Sequence, residues 1–239
     1  MTAPSLVGTL LAPGALRTAV QPIVALDGRT PRTVAYECLT RGPRGSNLES
    51  AQVLFDYVRL KHDEPAVDRA CVATALRTAP CDAATSLSLN VHAATLGRDA
   101  AFVPFLLDTA RACGVAFHQL IVEIVEYAPV WNEPVLHSVS QLRAAGVRIA
   151  VDDIGLGHSN LRMILDVQPE LFKIDRYFVA GCHADSRRVA VIASVCQLAR
   201  SFGAATIAEG IEEQCDVAPL VDCGVSLFQG YLFGAPVMV

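Results

Sequence analysis

No CxxC pair occurs among the eight cysteines of this 239-residue chain, which stand at positions 38, 71, 81, 113, 182, 196, 215 and 223. That argues against a zinc ribbon or a disulfide framework. The cysteines mostly sit in apolar stretches such as Val195-Cys196-Gln197-Leu198 and are expected to be buried free thiols. Free thiols imply a reducing compartment, so the protein reads as cytoplasmic. There is no Lys/Arg tract and the net charge is −5, which gives no hint of a DNA or RNA groove and no polybasic membrane surface. No apolar run reaches the ~18–20 residues needed to span a bilayer. The apolar N-terminus lacks a basic start and is interrupted by Pro13-Gly14, so no signal peptide is expected. Neither GxGxxG nor GxxxxGK[ST] is present to mark a nucleotide-binding fold.

What the chain does contain is 52% hydrophobic residues, ample for a large core, and a recurring local pattern. Seven short apolar runs each end on a polar residue suited to metal binding or proton transfer. They end on Glu37, Asn90, Glu123, Asp152-Asp153, Lys173, Glu209 and Gln229. Helix-length stretches separate the runs, approximately 99–112, 132–145, 160–166, 185–203 and 213–222, after a longer periodic stretch over 50–79. Gly114, Gly146, Gly203 and Gly224 each follow a helical run and precede a strand. The first strand, Thr18 to Leu26, is turned by Asp27-Gly28-Arg29 into the strand that ends at Glu37. Repeated strand–helix units imply a parallel sheet with right-handed crossovers. With about eight strands, the expected fold is α/β, a closed TIM-like (β/α)8 barrel with an irregular first strand. A leader over 1–15 and one domain over 16–239 complete the expected organisation. No sensory domain is expected, so regulation would come through expression, a partner or oligomerisation.

In such a barrel the polar strand ends converge at one rim, where catalytic groups sit. Five carboxylates gathered there are costly unless cations lie between them. Glu37, Asn90, Glu123 and Asp152 offer oxygen donors of the kind suited to Mg²⁺ or Mn²⁺. The adjacent Asp152 and Asp153 can diverge, one bridging two ions while the other holds the second. Two ions about 3.5–4 Å apart suit in-line displacement at phosphorus. Lys173 either orients a nucleophilic water or a phosphate, or forms a salt bridge to Asp175 or a rim carboxylate. Glu209 can accept a proton from water, and Glu212 either braces the site or belongs to a helix start.

The order and spacing of these segments resemble the EAL-domain cyclic di-GMP phosphodiesterases, from Gln21 to Pro236. The resemblance rests on Gln21-Pro22-Ile23-Val24, Glu37-Cys38-Leu39-Thr40-Arg41, Asn90-Val91 and Glu123-Ile124-Val125-Glu126. It continues through Asp152-Asp153, Lys173-Ile174-Asp175-Arg176, Ala208-Glu209-Gly210-Ile211-Glu212 and Gln229-Gly230-Tyr231. It implies an EAL-type barrel that hydrolyses cyclic di-GMP to linear pGpG with two Mg²⁺ or Mn²⁺ ions. The implied metal ligands are Glu37, Asn90, Glu123, Asp152 and Asp153. Lys173 would position the water, and Glu209 would be the general base or a second-metal ligand. Gln21, Leu39, Arg41 and Gln229 would meet the dinucleotide, and Glu126 would anchor the loop after the twin aspartates. A homodimer is also implied.

The chain departs from the family pattern at three places. Cys38 replaces the signature alanine, and Gly42 stands where a tryptophan often follows the arginine. The loop Asp153-Ile154-Gly155-Leu156-Gly157-His158-Ser159-Asn160-Leu161 replaces one that usually reads DFGTGYSSL. His158 is either a ligand or phosphate contact, or a solvated loop residue. Besides the active enzyme, the sequence allows a receptor that binds cyclic di-GMP and signals through a partner protein, a member acting by protein contact alone, or an unrelated two-metal phosphoesterase.

Overall fold

Side chains alternate across a β-strand, so each strand of this chain serves two layers. In the computed structural model, which describes residues 6–125, 133–152 and 161–239, one layer fills the lumen of a barrel and the other packs against helices. Strands β1 (Arg17–Asp27) and β2 (Thr30–Arg41) form an antiparallel hairpin turned at Gly28. The parallel strands β3 (Ser86–His92), β4 (Leu120–Val125), β5 (Arg148–Val151), β6 (Leu171–Ile174), β7 (Ala205–Ala208) and β8 (Leu227–Gln229) continue from β2 in sequence order. Strand β8 then pairs antiparallel with β1, which closes the ring, and the short β9 (Val237–Met238) adds to the other part of β1. The expected eight-stranded barrel is therefore present, and its irregular first strand is the antiparallel β1.

Outward residues of the strands join the helices in one continuous core. Leu87, Leu89 and Val91 of β3 and Val122 and Ile124 of β4 are members of it, with Phe102 and Leu106 of α5 (Phe102–Ala112) and Leu142 of α6 (Glu133–Ala144). Inward residues form a separate apolar floor of Ile23, Ala35, Ile121, Ala150, Leu171 and Ile207. Each of these lies two residues from a polar group: Gln21, Glu37, Glu123, Asp152, Lys173 and Glu209 respectively. A period of two thus places one polar layer directly above the apolar floor, at the C-terminal end of the parallel strands.

The structure revises several boundaries. The periodic stretch over 50–79 is two helices, α2 (Ala51–Lys61) and α3 (Glu64–Thr78). The break comes at His62, which is left-handed at φ 58°, and Pro65 sits in the first turn of α3, where its missing N–H costs nothing. Both helices bury one face, so the hydrophobic period runs on across the break. The stretch expected at 99–112 likewise contains only α5, preceded by a separate short α4 (Ala93–Arg98). The polar residues do not always end their strands. Strands β2, β3 and β4 continue past Glu37, Asn90 and Glu123 because their alternation resumes beyond them. The remaining helices are α1 (Leu6–Leu10), α7 (Leu161–Val167), α8 (Arg176–Val179), α9 (Ser186–Ser201) and α10 (Gln214–Cys223). In α1, Leu10 is buried with Leu54, Val58 and Val67 of α2 and α3. All eight cysteines are free; Cys38, Cys71, Cys182 and Cys196 are buried, while Cys215 is exposed, contrary to the expectation of burial. No helix among the described residues is long and apolar enough to cross a membrane.

Candidate active site

Strand register sets the polar layer. Gln21 pairs with Glu37 across β1 and β2, and Asn90 pairs with Glu123 across β3 and β4. Lys173 on β6 reaches into the centre with only 2% of its side chain exposed. Its Nζ lies 2.5 Å from Glu123 Oε1, 2.7 Å from Glu209 Oε1, 3.7 Å from Glu37 Oε1 and 3.8 Å from Asp152 Oδ1. Of the two readings left open for Lys173, the salt bridge to rim carboxylates is present, and with four of them at once. Asp175 instead caps α8, accepting a bond from the Tyr177 amide at 2.7 Å.

Amide side chains fix the carboxylates. Asn90 Nδ2 donates to Glu37 Oε1 at 3.0 Å, and Gln229 Nε2 donates to Glu37 Oε2 at 2.6 Å. Gln229 Nε2 also faces Gln21 Oε1 at 3.2 Å, and Gln21 Nε2 donates to the Gly234 carbonyl at 3.0 Å. Ser88 Oγ donates to Glu123 Oε2 at 3.2 Å. Sequence reading missed Ser88. Its signal was available: a hydroxyl two residues before Asn90, on the same polar face of an alternating strand.

Among the described residues the charge balance is uneven, with four carboxylates around one ammonium. Burial pushes Glu37 upward, but the charge of Lys173 and the bonds from Asn90 and Gln229 outweigh it and hold this carboxyl below its usual range. Burial raises Glu123 to about 8, opposed by Lys173 and assisted by Glu37 and Asp152. Burial likewise carries Glu209 well above its ordinary value, with Asp152, Glu37 and Glu123 adding to the push against the pull of Lys173. Burial opposes the charge on Lys173, yet Asp152, Glu123, Glu209 and Glu37 together keep it firmly protonated. The cluster without added cations therefore holds protons on carboxyls that a divalent ion would displace.

A stability profile follows. A carboxyl raised on folding stabilises fully below its unfolded value of 4.5, and that contribution is lost as pH rises through the folded value, about 8 for Glu123. Glu209 acts in the same sense. Glu37 has the opposite sign, its contribution being lost only as pH falls below the ordinary carboxyl range. Thermal melts in EDTA are expected to show a falling Tm as pH rises from 4.5 through about 8, with Mn²⁺ flattening the decline. A flat EDTA profile would contradict this charge balance.

The donor set fits divalent cations on two grounds. Its oxygens are the hard type that Mg²⁺ and Mn²⁺ take. In addition, Gln229 Oε1 is buried with no hydrogen-bond partner among the described residues, an acceptor left unsatisfied within the polar layer.

Other sequence candidates lie further out. Leu39 and Arg41 follow Glu37 at intervals of two on the same face of β2, both half-buried, and Arg41 Nη1 donates to the Thr40 carbonyl at 2.9 Å. Glu212 pairs with Arg176 at 3.1 Å. The aliphatic part of Arg176 in turn crosses Gly210, where an added Cβ would lie 2.5 Å from it and where φ is +64°. Glu212 thus fastens the segment that carries Glu209, acting through Arg176. Gly42 has a comparable constraint, since a Cβ there would meet the Leu48 carbonyl oxygen at 2.0 Å. The loop folds back so closely that the tryptophan common in the family has no room. Asp153, Glu126 and His158 lie outside the described residues.

The EAL domain model matches residues 8–236. The chain belongs to the EAL domain family. Among its relatives, the cyclic di-GMP phosphodiesterase RocR of Pseudomonas aeruginosa is 32% identical over 171 residues, 69% of this chain and 42% of RocR. The chain thus spans less than half the length of this curated relative. A standalone versatile EAL protein from Vibrio cholerae O395, solved in its c-di-GMP bound form, has a TM-score of 0.81 at 28% identity, covering 93% of this chain and 92% of that one. Klebsiella pneumoniae BlrP1, solved as a manganese/cy-diGMP complex, has a TM-score of 0.79 at 28% identity, covering 99% of this chain and 58% of that one.

Proposed function

We propose that this EAL domain hydrolyses cyclic di-GMP to linear pGpG with the help of two divalent cations, Mg²⁺ or Mn²⁺. The observation that carries the reading is the convergence of Glu37, Glu123, Asp152 and Glu209 on Lys173, beside the unpartnered Gln229 Oε1. The cyclic di-GMP and manganese bound by structural relatives support it. Glu37, Asn90, Glu123 and Asp152 would hold the cations, together with Asp153. When bound, the ions would lower the pKa of water and offset charge developing at the phosphorus.

The chain's own groups do the rest. The Lys173 ammonium, fixed by its carboxylates, directs its protons at a water oxygen or a phosphate oxygen. The Glu209 carboxylate, less buried than Glu123, takes up the proton that water loses. Arg41 offers a planar fork for a phosphate, so an acidic protein can accept an anion. Leu39, Gln21 and Gln229 would border the dinucleotide, and Glu126 would anchor the loop that carries Asp153. Residues 16–239 would form the catalytic unit, 1–15 its leader, in a reducing compartment, the cytoplasm. Homodimerisation is part of the same reading, with Leu161, Leu165 and Tyr177 as exposed large apolar residues available to it. A signalling partner protein belongs instead to the receptor alternative. That alternative rests on the 153–161 loop, most of which lies outside the described residues.

Incubation with cyclic di-GMP and Mn²⁺ is expected to yield pGpG, resolved by anion-exchange chromatography. Complete recovery of bound but uncut cyclic di-GMP would favour the receptor. In either case Arg41→Ala is expected to weaken binding by about 1–3 kcal/mol, the loss of a charge-assisted hydrogen bond. Calorimetry showing unchanged affinity would remove Arg41 from the site.

A further inference from the structure

Outside the carboxylate layer, three different donor groups meet between the segments that follow β6 and β7. The turn Cys182–Ala184 follows α8, and the first turn of α10 packs against it. Asp216, with 2% of its side chain exposed, is held rigidly: Oδ2 accepts from the Gly181 amide at 3.0 Å and Oδ1 from the His183 amide at 3.1 Å. Its Oδ1 is also 2.7 Å from His183 Nδ1, and the sulfur of Cys215 is 3.4 Å from the same nitrogen. The three atoms lie within 4.8 Å of one another, the one His/Cys-containing cluster of this kind among the described residues. Capping the turn accounts for the amide bonds of Asp216. It does not account for an exposed thiol beside a half-exposed imidazole.

We propose that His183, Cys215 and Asp216 bind a thiophilic divalent ion of the Zn²⁺ class. Thiolate and imidazole favour Zn²⁺ over Mg²⁺ or Mn²⁺, the reverse of the all-oxygen preference in the barrel. In a tetrahedral site with Zn–S about 2.3 Å and Zn–N about 2.0 Å, the nitrogen–sulfur separation is about 3.5 Å. The observed 3.4 Å already matches. The 2.7 Å nitrogen–oxygen contact must open by about half an ångström, as the ion takes the place of the proton between them. Binding releases the Cys215 proton to solvent, and the imidazole carries its own proton on Nε2. The amide bonds to Asp216 keep its carboxylate aimed, as supporting bonds do at built metal sites. The exposed sides of His183 and Cys215 leave a fourth position for water. A bound ion would tie the segment that follows β6, the strand of Lys173, to the segment after β7, which bears Glu209.

Co²⁺ is the probe of choice, because thiolate ligation gives a near-ultraviolet charge-transfer absorption that the oxygen donors of the barrel cannot give. Titration of metal-free protein in excess Mg²⁺, which occupies the oxygen donors of the barrel, is expected to show this band saturating at one equivalent and bleached by Zn²⁺. Cys215→Ser should abolish it and His183→Gln should weaken binding at least tenfold, with unchanged melting in EDTA. Zn²⁺ should also slow alkylation of Cys215 in the unmodified protein at least tenfold, read peptide by peptide, which needs no variant. Absence of the band, its persistence in Cys215→Ser, or alkylation indifferent to Zn²⁺ would overturn the proposal. None of these outcomes depends on phosphodiesterase activity.

Discussion

Lys173→Met is expected to destabilise the metal-free protein by about 3–5 kcal/mol, the usual cost of leaving buried charge without its partner. Met keeps the unbranched stem and lacks only the terminal atom, so packing against the apolar floor changes little. What goes is the ammonium that lies within 4 Å of four carboxylates. Those groups respond by taking up protons, so the deficit should shrink at low pH, where the carboxylates that Lys173 balances, Glu37 among them, become neutral as well. It should also shrink in Mn²⁺, which supplies the missing positive charge. Urea denaturation in EDTA, repeated at low pH and with Mn²⁺, measures all three. A variant within about 1 kcal/mol of wild type in EDTA at neutral pH would show that Lys173 does not organise the cluster.

Glu209→Gln is expected to lower kcat by roughly 10²- to 10⁴-fold, the range for loss of a positioned acid–base group, while cyclic di-GMP binding stays within about threefold. Glu209 is the most suitable base for three reasons. It follows β7 at the open end of the barrel, it is bonded to Lys173 at 2.7 Å, and its side chain is more exposed than that of Glu123, at 18% against 1%. Glutamine keeps the shape but cannot take the proton. A Mn²⁺ titration of steady-state rates separates the two roles implied for this residue. A kcat loss at unchanged Mn²⁺ dependence marks the base, and recovery at high Mn²⁺ marks a metal ligand. Wild-type kcat at all Mn²⁺ concentrations would exclude both.

Much of this arrangement was legible before the fold was known, because a strand's period of two is a strong constraint. Apolar residues at 35, 121, 150, 171 and 207 specify a floor, and the polar residues two positions later must then share a layer. The closed ring also followed, since eight strand signals with a hairpin at Gly28 leave few arrangements. Helix limits were less legible: the apolar period runs through His62, and Pro65 is the one local mark of a break that the left-handed backbone at His62 makes plain. The central place of Lys173 was invisible as well. A lysine after Leu171-Phe172 reads equally as a rim salt bridge, and only the closed barrel brings β2, β4 and the ends of β5 and β7 around it. His183 and Cys215 stand on different crossovers, so no local ligand spacing announces them.

The central claim is that the carboxylate layer serves metal-dependent cleavage of cyclic di-GMP, and one comparison tests it most directly. Wild type and Glu37→Ala are assayed for pGpG with Mg²⁺, with Mn²⁺ and with EDTA, after melts confirm that both are folded. Glu37 is fixed by Asn90 and Gln229 and is kept ionised, so its removal should cost at least about 10³-fold, roughly 4 kcal/mol of barrier. The account predicts pGpG from wild type only when a divalent ion is present, and next to none from the variant. Equal turnover by the folded variant, or product formed undiminished in EDTA, would contradict it.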